Sequence, residues 1–318
     1  MHTSGMKATT NDALFSRRDF CAGMFATAAV VGARSLSGAN LDTEQDPDLA
    51  VFISDLHVNG LAKDGGHQEV CLRKAVDQIL ALRPRPAYVV CLGDIAFLWG
   101  MSEDYRHAKA VLRPLYDAGM KVALGMGNHD RRDRFLEEWP EYARTSPVKG
   151  RIVSKVEMPR ATVLLLDSLN AKPIEFKGGT YPGELDAAQR EWLAAELRAS
   201  TKPVFVCAHH GVKEDGVNLA RTVVRAKACK GYINGHWHRW RNDFTYADHS
   251  GRFLKHLCLP STGHWGDIGF ATFRVSGDRA VMSLHQTDYF NARPGDSQPE
   301  REFILQERQG ATATFNLS

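Results

Sequence analysis

Short apolar runs punctuate this chain, and polar or charged side chains stand at their ends. Leu49 to Ser54, Ala87 to Leu92, Lys121 to Leu124, Pro203 to Ala208 and Gly231 to Asn234 have the length and composition of buried strands. Between them, apolar residues recur at helical spacing. Gln68 to Leu82 turns Val70, Val76, Ile79 and Leu80 toward a core and is stopped by Pro84 and Pro86. A second helix takes Ser102 as its N-cap, carries a kink at Arg113-Pro114 and ends near Gly119. Arg131 to Trp139 is a short charged helix, and Leu185 to Leu197 is amphipathic, with Trp192, Leu193 and Leu197 facing inward. Gly150 to Glu157 and Ala161 to Asp167 read as paired strands, and Trp240 to His285 as a series of short β-like runs. The repeated order of strand, polar residue and helix predicts an α/β fold. Its parallel strands are joined by right-handed crossovers, and their carboxyl ends line up at one place.

Composition adds bounds. The 318 residues, 43% of them hydrophobic, suffice for one large core or two small ones. The net charge of +3 comes mostly from the first 39 residues; the remainder carries 36 basic against 35 acidic side chains. That balance, without a basic stripe interleaved with aromatics, argues against nucleic acid as a partner. Of six cysteines none forms a C-x-x-C pair, and Cys91 and Cys207 sit inside strand-like runs, so a disulfide framework is not expected.

The chain divides into three parts. Residues 1–39 resemble a twin-arginine (Tat) export signal. Ser16-Arg17-Arg18-Asp19-Phe20 carries the arginine pair, a mildly apolar stretch runs from Phe20 to Val31, and Ser37-Gly38-Ala39 offers small residues for cleavage after Ala39. The apolar run is too short for a stable membrane anchor. The expected destination is periplasmic or extracellular, with the Tat machinery as a partner. Residues 40–290 form the main domain. Asn291 to Ser318 is polar with one apolar interruption, and reads either as a loose tail or as an added edge segment.

The chemistry gathers at the strand ends. Asp55-Leu56-His57 follows the first strand, and residues two apart on an extended segment point to one side. Gly93-Asp94 closes the second strand and Gly127-Asn128-His129-Asp130 the third; His209-His210 and Gly235-His236-Trp237-His238 follow the later two. Singly, each has an ordinary explanation as a turn or a satisfied histidine. Together they supply two aspartates, one asparagine and four histidines as ligands, enough for two ions if one carboxylate bridges them. Two ions roughly 3.5–4 Å apart clamp a phosphoryl group and generate hydroxide at neutral pH. Mixed nitrogen and oxygen ligation without thiolate suits Mn, Fe, Zn or Co.

These blocks, D-x-H, G-D, G-N-H-D, H and G-H-x-H, resemble those of the calcineurin-like metallophosphoesterases and cover the chain from Asp55 to His238. The resemblance implies a four-layer α/β/β/α sandwich of two mixed sheets flanked by helices. It implies one ion held by Asp55, His57, Asp94 and His238, and a second by Asp94, Asn128, His209 and His236. His129 is then the non-ligand histidine that assists the leaving oxygen. Asp94 is followed by Ile95-Ala96-Phe97-Leu98, without the further Asp and Arg of the protein serine/threonine phosphatases. His57 is present and Phe97 stands where purple acid phosphatases place a tyrosine ligand. Gly127 to Arg131, the His209-His210 pair and Pro260-Ser261-Thr262 are similar to the class III cyclic-nucleotide phosphodiesterase branch. The expected activity is hydrolysis of a small phosphodiester. The alternatives are a phosphomonoesterase of the same fold and a metal- or phosphate-binding protein without turnover.

Side chains beyond the ligands carry open readings. His210 is a substrate-binding candidate or, preferably, a support for neighbouring groups. His264 and Trp265 line a cleft or belong to a packed turn. Arg131, Arg132 and Arg134 read as a solvated face rather than a phosphate contact. Phe97, Leu98 and Trp99 read as core rather than as an apolar wall for substrate.

Overall fold

The computed structural model describes residues 45–63, 66–170, 183–214, 216–247, 251–290 and 301–318. The Tat-like leader and its cleavage point lie outside the described residues. In chain order the elements are β1 Gln45–Ile53, α1 Gly66–Ala81, β2 Arg85–Cys91, α2 Ser102–Asp117, β3 Lys121–Leu124, α3 Arg132–Glu138 and α4 Tyr142–Thr145. Then come β4 Ser154–Glu157, β5 Thr162–Leu165, α5 Ala187–Ala199, β6 Val204–Ala208, α6 Ala220–Arg225 and β7 Cys229–Asn234. The chain closes with β8 Arg241–Ala247, β9 Phe253–Cys258, β10 Gly266–Ser276, β11 Arg279–Phe290, α7 Arg301–Arg308 and β12 Thr312–Asn316.

Two six-stranded sheets result, ordered β12-β11-β10-β1-β2-β3 and β4-β5-β6-β7-β9-β8. Strands β1, β2 and β3 run parallel, as do β5, β6, β7 and β9, while the remaining pairs are antiparallel. Both sheets are therefore mixed, and the predicted fold class holds. Alternation along each strand builds the layers. Ala50, Phe52 and Phe273 of one sheet meet Leu165, Phe205, Cys207 and Ile233 of the other in the central core. Val51, Ile53, Val89 and Cys91 face away, onto Leu72, Val76 and Ile79 of α1 and Ala108, Leu112 and Leu115 of α2. On the far side, Leu164, Val204 and Val206 pack on Leu193 and Leu197 of α5 and Val223 and Val224 of α6.

Aromatic rings lock the two sheets together. Phe273 meets Phe52 at 5.6 Å and Phe205 at 4.8 Å between centroids, both edge-on, and Phe315 of β12 meets Phe205 at 5.2 Å. The C-terminal segment thus supplies an edge strand, with Ala313 and Phe315 in the central core. All five described cysteines are free and buried, in line with the cysteine spacing. No described helix is long and apolar enough to cross a membrane.

Three local expectations are corrected. Val70 is 61% exposed, while Cys71 and Leu72 turn inward. Val70 and Ile79 are nine residues apart, which is about 180° around a helix, so both cannot face one core. Ser102 is the first residue of α2 rather than its cap; its hydroxyl bonds Glu137 at 2.9 Å, and the Asp104 carboxylate accepts the Met101 N–H at 3.0 Å. Arg132 is no solvated side chain: it is only 18% exposed and bonds Asp167 with Nε at 2.6 Å and Nη2 at 2.7 Å.

Candidate metal centre

The loops after β1, β2 and β3 deliver Asp55, His57, Asp94 and Asn128 from the first sheet, and those after β6 and β7 deliver His209, His236 and His238 from the second. Their donor atoms converge in two groups. In the first, His57 Nε2 lies 3.2 Å from His238 Nε2, 4.0 Å from Asp55 Oδ1 and 3.5 Å from Asp94 Oδ2, and His238 Nε2 lies 3.1 Å from Asp55 Oδ1. In the second, His209 Nε2 lies 3.0 Å from Asn128 Oδ1, 3.2 Å from Asp94 Oδ2 and 3.2 Å from His236 Nδ1. Asp94 Oδ2 is common to both. The other oxygen, Oδ1, accepts the His129 backbone N–H at 2.8 Å, which fixes the carboxylate plane.

These contacts fit cations rather than mutual hydrogen bonds. His238 Nδ1 donates to the Trp265 carbonyl at 2.9 Å, so its Nε2 in the neutral ring carries a lone pair. That lone pair points at a carboxylate oxygen and at a second imidazole nitrogen. Buried Asn128 Nδ2 and His209 Nδ1 have no hydrogen-bond partner. Burial opposes the charged form of His209, yet Asp94 and Asp55 lift it to about 9. A proton there stands where a cation would. Burial depresses His57, and burial with His209 lowers His236 to about 4, so both rings favour the neutral form that a metal ligand needs.

The backbone is specialised for this convergence. Asp55, His57, Asp94, His236 and His238 all have positive φ, at 53°, 46°, 49°, 70° and 53°. Each costs roughly 1–2 kcal/mol for a residue with a Cβ. Gly127 makes room, since a Cβ there would lie 2.2 Å from Asp94 Oδ1. Gly235 does the same, with Ser54 Oγ at 2.0 Å and Asp55 Oδ2 at 2.6 Å from a Cβ.

His129 sits at the rim, half-buried, with its Nδ1–H donating to the Leu98 carbonyl at 3.0 Å and its ring centroid 5.1 Å from that of His57. It can also be grouped with His57 and Asp94 as a possible ligand, but the Leu98 bond occupies one nitrogen and leaves Nε2 for a substrate. His210 is fully buried; its ring lies 4.8 Å from His236, and its Nδ1 is 2.8 Å from Ser168 Oγ. This place suits a support for the ligand loops, though His210 can also be grouped with His209 and His236 as a possible ligand. His264 is half-buried with its ring 4.6 Å from His57 and 5.6 Å from His238, so it borders the site. Phe97 is half-buried, and Leu98 and Trp99 are 40% and 46% exposed, against the expectation of core packing.

Several contributors have roles that the sequence does not announce. Ser54 Oγ donates to Asp55 Oδ2 at 2.5 Å. Ser261 Oγ donates to the Asp55 carbonyl at 2.8 Å, and Thr262 N–H to the Ser54 carbonyl at 2.7 Å, so the Pro260–Gly263 turn clamps the end of β1. Buried Asp130 accepts the N–H groups of Gly127 at 2.8 Å and of Ile95 and Ala96 at 3.1 Å, tying the β2 and β3 loops together. Burial and then Asp94 raise its carboxyl to about 7. Asp130 and Ser261 stand in strings that the sequence singles out, G-N-H-D and Pro260-Ser261-Thr262, without these roles being legible there; Ser54 gives no hint.

A profile described as calcineurin-like phosphoesterase matches residues 50–240, which takes in every ligand candidate. A probable cyclic nucleotide phosphodiesterase from Rhodopseudomonas palustris is 27% identical over 230 residues, covering 72% of this chain and 76% of that protein. Another, from Psychrobacter arcticus, is 29% identical over 175 residues, covering 50% of this chain and 58% of that one. In fold, a dimetal phosphatase from Danio rerio superposes with a TM-score of 0.60 at 17% identity, over 86% of this chain and all of that one. This chain belongs to the calcineurin-like phosphoesterase family and is a metal-dependent phosphoester hydrolase.

Proposed function

We propose that the chain hydrolyses small phosphodiesters with two divalent ions, and that it works outside the cytoplasm after export by the Tat route. The observation that carries the reading is the pair of four-donor groups sharing Asp94 Oδ2, with His129 on their rim. Asp55, His57, Asp94 and His238 would hold one ion, and Asp94, Asn128, His209 and His236 the other. The donor set suits Mn, Fe, Zn or Co. When bound, such a pair neutralises phosphoryl oxygens and lowers the pKa of water.

The chain's own residues supply the rest. His129, anchored through Nδ1 to Leu98, is placed to pass a proton from Nε2 to the departing alcohol. Water adds to phosphorus and gives up one proton to solvent, the P–O bond to that alcohol breaks with its electron pair leaving on the alcohol oxygen, and a monoester and a free alcohol result. The arginines after the G-N-H-D block are engaged elsewhere: Arg131 with Asp133, Arg132 with Asp167, and Arg134 with the Gly100 carbonyl. A monoester dianion would gain from such an arginine, so their engagement favours the diester. The names of the two bacterial relatives support the same choice.

The test joins metal analysis to turnover of bis-p-nitrophenyl phosphate and p-nitrophenyl phosphate in manganese. Two metals per chain with faster diester cleavage is the expected result. Monoester cleavage alone would make the protein a phosphatase. A folded sample with neither metal nor activity would leave a binding protein. Export rests on Arg17 and Arg18 within Ser16–Phe20. Replacing both by lysine should trap the protein in the cytoplasmic fraction, and unchanged localisation would defeat the Tat reading.

A further inference from the structure

After Asp94 the chain stays buried for two residues and then turns out into solvent. Ala96 bridges to Val58, and the Phe97 N–H bonds the Val58 carbonyl at 3.1 Å. The N–H groups of Trp99 and Gly100 both fold back onto the Phe97 carbonyl. Leu98 is held at φ 29° and Gly100 at 58°. From the other side, Arg134 Nη1 bonds the Gly100 carbonyl at 2.9 Å. A turn pinned at both ends is thus used to hold two large apolar side chains, Leu98 and Trp99, outside the core.

Its place relative to the reaction is defined by two contacts. The Leu98 carbonyl is the anchor of His129 Nδ1, at 3.0 Å. The Phe97 ring stands edge-on to His264 at 5.8 Å, and His264 in turn lies 4.6 Å from His57. The turn therefore adjoins the proton donor for the leaving group. The exposed side chains of this turn are apolar, where the protein phosphatases carry Asp and Arg.

We propose that Phe97, Leu98 and Trp99 form the leaving-group platform, selecting phosphodiesters whose departing alcohol carries a flat ring, as a nucleoside or an aryl alcohol does. This rests on the diester reading above. A planar π-face gains by stacking on exposed aromatic and aliphatic side chains, whereas a small polar alcohol leaves that surface wet.

The experiment compares wild type with Trp99→Ala, Leu98→Ala and Trp99→Phe on three diesters: cyclic AMP, bis-p-nitrophenyl phosphate and ring-free glycerophosphoethanolamine. In Trp99→Ala the ratio of kcat/KM for either ring-bearing diester to that for glycerophosphoethanolamine should fall about tenfold, through KM. Trp99→Phe should recover most of it. Calorimetric titration with AMP and with glycerol 3-phosphate should show weakened binding for AMP alone. Equal losses on all three diesters, or a ratio that does not move, overturns the platform. Wild type that cleaves none of the diesters while holding its metals overturns the diester reading itself.

Discussion

Arg132 and Asp167 form a two-pronged ion pair, at 2.6 and 2.7 Å, that joins the two sheets beside the site. Arg132 opens α3, four residues after Asn128; Asp167 follows β5 of the other sheet, and the next residue, Ser168, touches His210. Asp167 is fully buried and also accepts the Ile152 N–H at 2.8 Å. Removing the arginine leaves a buried charge short of its partner, which costs about 3–5 kcal/mol. Arg132→Ala should therefore unfold at markedly lower urea than wild type. Arg132→Lys keeps the charge without the fork and should fall between. A midpoint for Arg132→Ala equal to that of wild type would show the pair to be idle.

His129→Ala should lower kcat by about 10²–10⁴-fold, the range for loss of a positioned general acid. Metal content per chain should stay at the wild-type value, because the residue's ring is outside both four-donor groups. Metal analysis beside steady-state kinetics checks both halves. Unchanged turnover removes the proton-donor role, and lost metal makes His129 a ligand.

Gly235→Ala pushes a methyl group into Ser54 Oγ and Asp55 Oδ2. The Ser54–Asp55 hydrogen bond must break or the loop must move, at a cost of about 1–3 kcal/mol. We expect weaker metal retention on dialysis and a lower unfolding midpoint. Full retention with wild-type stability would show that the loop yields freely.

His256 makes acid stability testable away from the ligands. It is buried; its Nε2 lies 2.5 Å from Asn234 Oδ1 and its Nδ1 3.2 Å from the Tyr246 hydroxyl. The neutral ring satisfies both, donating to the amide oxygen and accepting from the phenol. Burial, and then Arg241, lower it to about 4 from an ordinary 6.5. Below 6.5 the unfolded chain takes up a proton that the folded one refuses, so stability falls as pH drops toward 4. Above 6.5 the effect is absent. His256→Gln should flatten this part of the stability curve; a slope as steep as that of wild type would assign it to other groups.

Much of the arrangement is legible in the sequence. Strand ends carrying Asp55, Asp94, Asn128, His209 and His236 stand out because a buried apolar run followed by a polar ligand type is a local pattern. What escaped depends on three dimensions. Arg132 looked solvated because its partner lies 35 residues away in another sheet. Phe97–Trp99 looked like core because apolar character says nothing about which way a pinned turn points. The tail could not be decided because Ala313 and Phe315 alone mark it as a strand, and their receiving space is shaped by distant residues, Gly231 among them: a Cβ there would lie 2.6 Å from the Phe315 ring.

Five of the residues that would hold the ions stand in left-handed backbone, a conformation that glycine and asparagine enter at little cost. A lineage released from selection would drift toward those residues at these positions, because each such change relieves strain. Asp55, His57, Asp94, His236 and His238 stand there despite that strain, which a role for their side chains at the site accounts for. The same five positions then discriminate among related sequences: members that carry glycine or asparagine at them should keep the sandwich and lack the chemistry.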